Sequence, residues 1–198
     1  MADFTSIAAV CSSIARFIEF SFREQQPITG RTTSVRVLRT VDLNPDTSTL
    51  LTPPTLSLFL YRVDYNKTMR AAWSATAVYD SHSHLPLDLH FLLIPWGENA
   101  DHEHRMIGRA MQCLEDTPIF SGPLLDPIAT WSSQESIQVC LEDLSTEDVM
   151  RTFDSLPLDY KLSIPYLARI TVLHGQRDDL VPRTASVVTG VTSEVSDE

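Results

Sequence analysis

Only Lys67 and Lys161 supply lysine in this 198-residue chain; its other thirteen basic side chains are arginines. Arginine's planar fork suits paired and interfacial charges better than a lysine ammonium does. Glycine is also scarce, at six residues. There is accordingly no phosphate-cradling loop, no dinucleotide fingerprint and no Gly-x-Ser-x-Gly nucleophile turn. Three cysteines, Cys11, Cys113 and Cys140, are odd in number and far apart. They make neither a disulfide framework nor a zinc pattern, and read as thiols in a reducing compartment. No apolar run approaches the ~20 residues that span a bilayer. No basic start with an apolar core and cleavage site opens the sequence, so the expectation is maturation in the cytoplasm. With a formal charge of −11, nucleic acid and anionic membranes are poor main partners.

What remains suits one domain with a real hydrophobic core. Residues 3–22 carry Ile7, Val10, Ile14, Phe17 and Ile18 at helical spacing, with Asp3 or Thr5 as the cap. Residues 34–39 alternate as a short strand, and 42–54 form a polar, Pro-rich connection. Residues 55–64 are apolar on both faces, Leu56, Leu58 and Leu60 against Phe59, Tyr61 and Val63, which marks a central strand. The turn at 64–67 predicts a hairpin with a returning strand at 69–79 that carries Trp73. A strand over 85–94 leads to a helix capped by Asn99 or Asp101, with Met106, Ile107, Ala110, Met111 and Leu114 as its buried face. Residues 120–133 read as a loop, and Ile137, Val139 and Leu141 as another strand. Ser145 and Asp148 nearly form a capping box, with Leu144 and Val149 as a hydrophobic staple. A last strand runs over 161–173, where Pro165 demands an edge, bulge or bend. The expected fold is α+β: a mixed, mostly antiparallel sheet of five or six strands flanked by about three helices. Residues 1–175 form the domain, and 176–198 a flexible acidic tail.

Histidine is the first candidate for chemistry. His82, His84 and His90 lie in or just before one strand, and His102 and His104 open the following helix. A metal-dependent hydrolase built on these five is one reading. Against it, His102 and His104 stand two apart on a helix and point about 200° apart. No His-Glu-x-x-His motif is present. Surface or hydrogen-bonded histidines are the plainer reading. Asp101, Arg105 and Arg109 stand four apart and form one ridge of the same helix. Trp96 and Trp131 read as loop aromatics, hence interface candidates.

Three passages taken in order carry a further signal: Pro86–Gly97 (PLDLHFLLIPWG); His104–Ala110 leading to Thr117–Phe120; and Leu141–Leu156 followed by Tyr160–Leu173. Together with the strand at 56–64 and the basic turn ending at Arg70, this order resembles the cap, or tail terminator, family of extracellular contractile injection systems, from the Photorhabdus virulence cassette and the antifeeding prophage. Arg70-Ala71 stands where the family usually has Arg-Asn. The resemblance implies a structural protein without cofactor or catalytic step. It implies a homohexameric ring on the distal end of an inner tube that ends tube growth and contacts the last sheath layer. Its partners would be tube and sheath proteins, in a particle assembled in the cytoplasm. Arg70, Asp101, Arg105, Arg109, Trp96 and Trp131 are then the candidate assembly contacts. An adaptor in another phage-tail-like assembly is the remaining alternative.

Overall fold

The structure, a computed structural model, describes residues 3–44, 48–68, 84–133 and 135–174, the last five by backbone alone. Its elements are α1 (Ser6–Glu24), β1 (Ser34–Leu38), β2 (Thr55–Tyr65), β3 (His84–Trp96), α2 (Ala100–Asp116), β4 (Ile119–Ser121), β5 (Ser136–Leu141), α3 (Thr146–Asp154) and β6 (Ile164–His174). They build the expected α+β fold. Six strands in the order β1-β2-β3-β6-β5-β4 form one sheet, parallel at β1–β2 and antiparallel at every other pairing. The expected returning strand at 69–79, Arg70, His82 and the tail at 176–198 lie outside the described residues.

Both faces of the sheet are covered, and the alternation of β3 shows why. Leu87, Leu89, Phe91 and Leu93 point into a core shared with Val10, Ile14, Ile18 and Phe22 of α1 and Ile107, Ala110 and Leu114 of α2. Leu92, Ile94 and Trp96 point the other way, into a smaller core with Leu43, Leu51 and α3's Val149 and Phe153. Side chains on a strand alternate between faces, so the continuously apolar stretch Phe91–Trp96 must be buried on both sides.

The helix signals mostly act as expected. Asn99 caps α2, its side chain accepting from the His102 N–H at 2.9 Å. Ser145 Oγ caps α3 by accepting from the Asp148 N–H, while Leu144 and Val149 pack in the same small core. Thr5 occupies the N-cap of α1 without a side-chain cap bond; the Asp3 carboxylate accepts the Thr5 N–H instead.

Three local readings change. Phe120 and Ser121, expected to open a loop, belong with Ile119 to the edge strand β4. Phe120 forces this by inserting under α1, edge-on to Phe17 at 5.0 Å between ring centroids. Pro165 is the second residue of β6 and registers with Leu92 of β3; its missing N–H falls on the β5 side, one place before the β5 register begins at Tyr166, where its carbonyl accepts the Glu142 N–H. In β2 a bulge lies between Leu60 and Arg62, which pair with the adjacent residues Phe91 and His90. The extra residue, Tyr61, reverses the parity of all that follows. Val63 pairs with Leu89 and so returns to the face of Leu58 and Leu60, while Arg62 and Asp64 move to the face of α3.

Candidate assembly surface

The bulge gathers a polar cluster on the α3 face. Arg62 stands opposite His90, and Glu142 reaches them from beyond the end of β5. His90 Nδ1 lies 2.7 Å from Glu142 Oε1, and Nε2 lies 3.4 Å from Asp64 Oδ2. Arg62 bridges the two carboxylates, 3.0 Å from Asp64 and 3.5 Å from Glu142. Tyr61 donates to Glu142 Oε2 at 3.1 Å. Burial and the neighbouring Glu142 carboxylate push the Tyr61 phenol well above its ordinary range, so it stays protonated and donating. His90 and Glu142 are largely buried, whereas Arg62 and Asp64 form the wet side of the cluster. Both imidazole nitrogens face carboxylates, so the group acts as an internal polar lock.

Next to it the sheet carries a straight polar row. Asp64 registers with Asp88, Asp88 with Arg169, and Arg169 with Gln138. This row floors an open groove of about 820 Å³, in which Asn66 Nδ2 spans both oxygens of Asp88 at 3.2 and 3.1 Å.

The histidines disperse. His84 begins β3, His90 is buried in the cluster, His102 is half-buried on α2 and His104 is exposed. Among the described residues no three histidine, cysteine, aspartate or glutamate side chains converge as metal ligands. The cysteines are free thiols; burial pushes that of Cys11 up to about 11.

The assembly candidates part company too. Asp101 and Arg105 form the expected exposed pair, at 2.8 Å. Arg109 leaves their ridge and turns inward, donating to the Ser21 carbonyl at 3.3 Å and so tying α2 to α1. Trp96 is no loop aromatic. It ends β3, is buried, and donates to Ser57 Oγ at 2.9 Å, with Lys161 over its ring at 5.2 Å. Trp131 is half-buried against the main core and donates to the Asp126 carbonyl at 2.7 Å. Arg62, Asp64 and Glu142 did not emerge from sequence reasoning. Only the bulge brings Arg62 and Asp64 to the side of Glu142.

Gly97, where β3 hands over to α2, shows how closely that junction fits. A Cβ there would stand 2.8 Å from Glu103 Cγ and 3.1 Å from the Glu103 nitrogen. The Glu103 carboxylate itself accepts from the Gly97 N–H and pairs with Lys161. Gly97→Ala is therefore expected to lose about 1–3 kcal/mol by overpacking. Urea unfolding checks this, and a change within ±0.3 kcal/mol would show that the junction gives way freely.

Comparison with known proteins places this architecture. The sequence profile of the Pvc16 N-terminal domain matches residues 9–186. No curated protein matches the chain significantly. Among solved structures, the sheath/tube terminator of PVC, an extracellular contractile injection system, in its extended state is similar in fold, with a TM-score of 0.53 at 14% identity. The likeness covers 94% of this chain and 63% of that one, so this chain spans less than two thirds of the terminator's length. Both agree with the order of motifs in the sequence, and the chain belongs to the Pvc16 N-terminal domain family.

Proposed function

We propose that this chain is the tail terminator of a contractile injection system. It forms a homohexameric ring on the distal end of the inner tube, stops tube growth and touches the last sheath layer. The family match over residues 9–186 carries this reading, and the fold likeness to a sheath/tube terminator supports it. The role is structural: the chain binds tube and sheath proteins and performs no catalytic step. It assembles in the cytoplasm, into a particle released outside the cell. Among the described residues no helix is long and apolar enough to cross a membrane. Candidate contacts for tube or sheath are Arg70, the exposed Asp101–Arg105 pair on α2 and the partly exposed Trp131.

The test is deletion of the gene from a cluster that makes particles. Electron microscopy is expected to show tubes of irregular length, or no mature particles, with rescue by the gene in trans. Particles of unchanged length distribution, and lacking the chain in the wild type, would overturn the proposal.

A further inference from the structure

α3 covers only the half of its sheet face that carries Leu92, Ile94 and Trp96. The other half is the polar row with its open groove. Asp88 lies between Leu87 and Leu89, which face the main core, so Asp88 and its register partner Arg169 face the groove instead.

The acids of the groove already have partners. Arg62 holds Asp64 at 3.0 Å, and the Asn66 amide spans both oxygens of Asp88. The bases have none. Arg169 and Lys67 line the groove, are exposed, and make no ion pair or hydrogen bond among the described residues. Gln138, in register with Arg169, is equally uncommitted. Lys67 after β2, Gln138 on β5 and Arg169 on β6 thus turn donors toward one cavity of about 820 Å³. In a chain of net charge −11 this is a spot of surplus positive charge. Its complement is a segment that bears carboxylates.

The chain carries such a segment beside the groove, outside the described residues. β6 ends at His174, five residues beyond Arg169. Asp178 and Asp179 follow, and Asp179 is five residues beyond His174. Five extended residues span about 17 Å, so a chain that reverses after His174 brings the two aspartates level with Arg169. Gly175 stands at the point of reversal, and glycine takes tight turns without steric cost. The family profile continues to residue 186, past the end of β6, so these aspartates fall within the family's own sequence pattern. Tethering favours the contact further, because a segment joined to its site by a short linker meets it at about millimolar effective concentration.

We infer that residues 175–186 fold back over the groove, with Asp178 and Asp179 pairing to Arg169 and Lys67. The chain so fills its own anion-seeking groove, and an acidic segment of another protein enters only by displacing it. The contact needs neither tube nor sheath, so it stands or falls apart from the terminator reading.

Carbodiimide coupling of the purified full chain tests this, because it joins a lysine to a carboxylate in direct contact. Lys67 and Lys161 are the only lysines, and Lys161 is held by Glu103. Mass spectrometry is expected to find Lys67 joined to Asp178 or Asp179. In an equal mixture of isotope-labelled and unlabelled chains, both halves of each joined peptide should carry the same label. Trypsin cleavage after Arg183 gives a second measurement. Arg169→Glu with Lys67→Glu is expected to speed it by about fivefold or more, since proteolysis follows the open population. Arg36→Glu, an exposed arginine on β1 outside the groove, should leave the rate unchanged. Circular dichroism must show each variant folded. Lys67 joined to neither aspartate, or a cleavage rate indifferent to the double reversal, overturns the inference. Joined peptides of mixed label would place a second copy's segment in the groove and overturn the contact within one chain.

Discussion

Replacing Phe120 with alanine is expected to cost about 4 kcal/mol, the usual range for deleting a buried aromatic ring, and to lower the melting temperature by about 12 °C at this chain length. The ring is fully buried and stands edge-on to Phe17 of α1. It also holds β4 against β5, where Phe120 pairs with Ile137. Little else anchors that short strand, since Ile119 and Ser121 face solvent. Phe120→Leu keeps most of the volume and should lose under about 1.5 kcal/mol. Differential scanning calorimetry of the two variants decides between them. Equal and small losses would show that β4 is held by its backbone bonds alone.

Glu142→Ala has the second large effect. It removes the acceptor for the Tyr61 hydroxyl and the anion beside His90 and Arg62. Breaking a largely buried charged cluster from one side costs about 3 kcal/mol, because the remaining partners stay desolvated. Glu142→Gln preserves an acceptor for Tyr61 and should lose roughly half as much. Chemical denaturation at neutral pH measures both. A loss below about 1 kcal/mol for the alanine variant would mean that water replaces the carboxylate and the cluster is no lock.

The backbone layout was readable from periodicity. The stripe from Ile7 to Ile18 places α1, the doubly apolar run at 55–64 announces a strand buried on both faces, and the run at 85–94 announces another strand. Caps at Asn99 and Ser145 mark helix starts to within a residue. Side-chain roles were less readable, for physical reasons that differ case by case. Trp96 looked like a loop residue because the strand was expected to end at residue 94, yet β3 continues through Pro95 and the indole reaches Ser57. Arg109 lies on the spacing of Asp101 and Arg105, but its long side chain swings to a carbonyl on another helix, which helical spacing cannot foresee. The cluster at His90 joins residues 28 and 52 positions apart. It also depends on a bulge that no composition signal marks.

That bulge sets a reading frame for the far half of β2. Because faces alternate with a period of two, straightening the bulge with Tyr61 taken into the ladder would carry Arg62 and Asp64 into the layer beneath α1 and α2 and lift Val63 out of it. Gaining one residue between 61 and 65 would do the same to every position after it. Beyond the bulge, insertions and deletions are therefore tolerable only in even steps, whereas loss of the bulged residue itself leaves the faces unchanged. Relatives of this chain should vary freely in length at the strand's tip while keeping the parity of its interior.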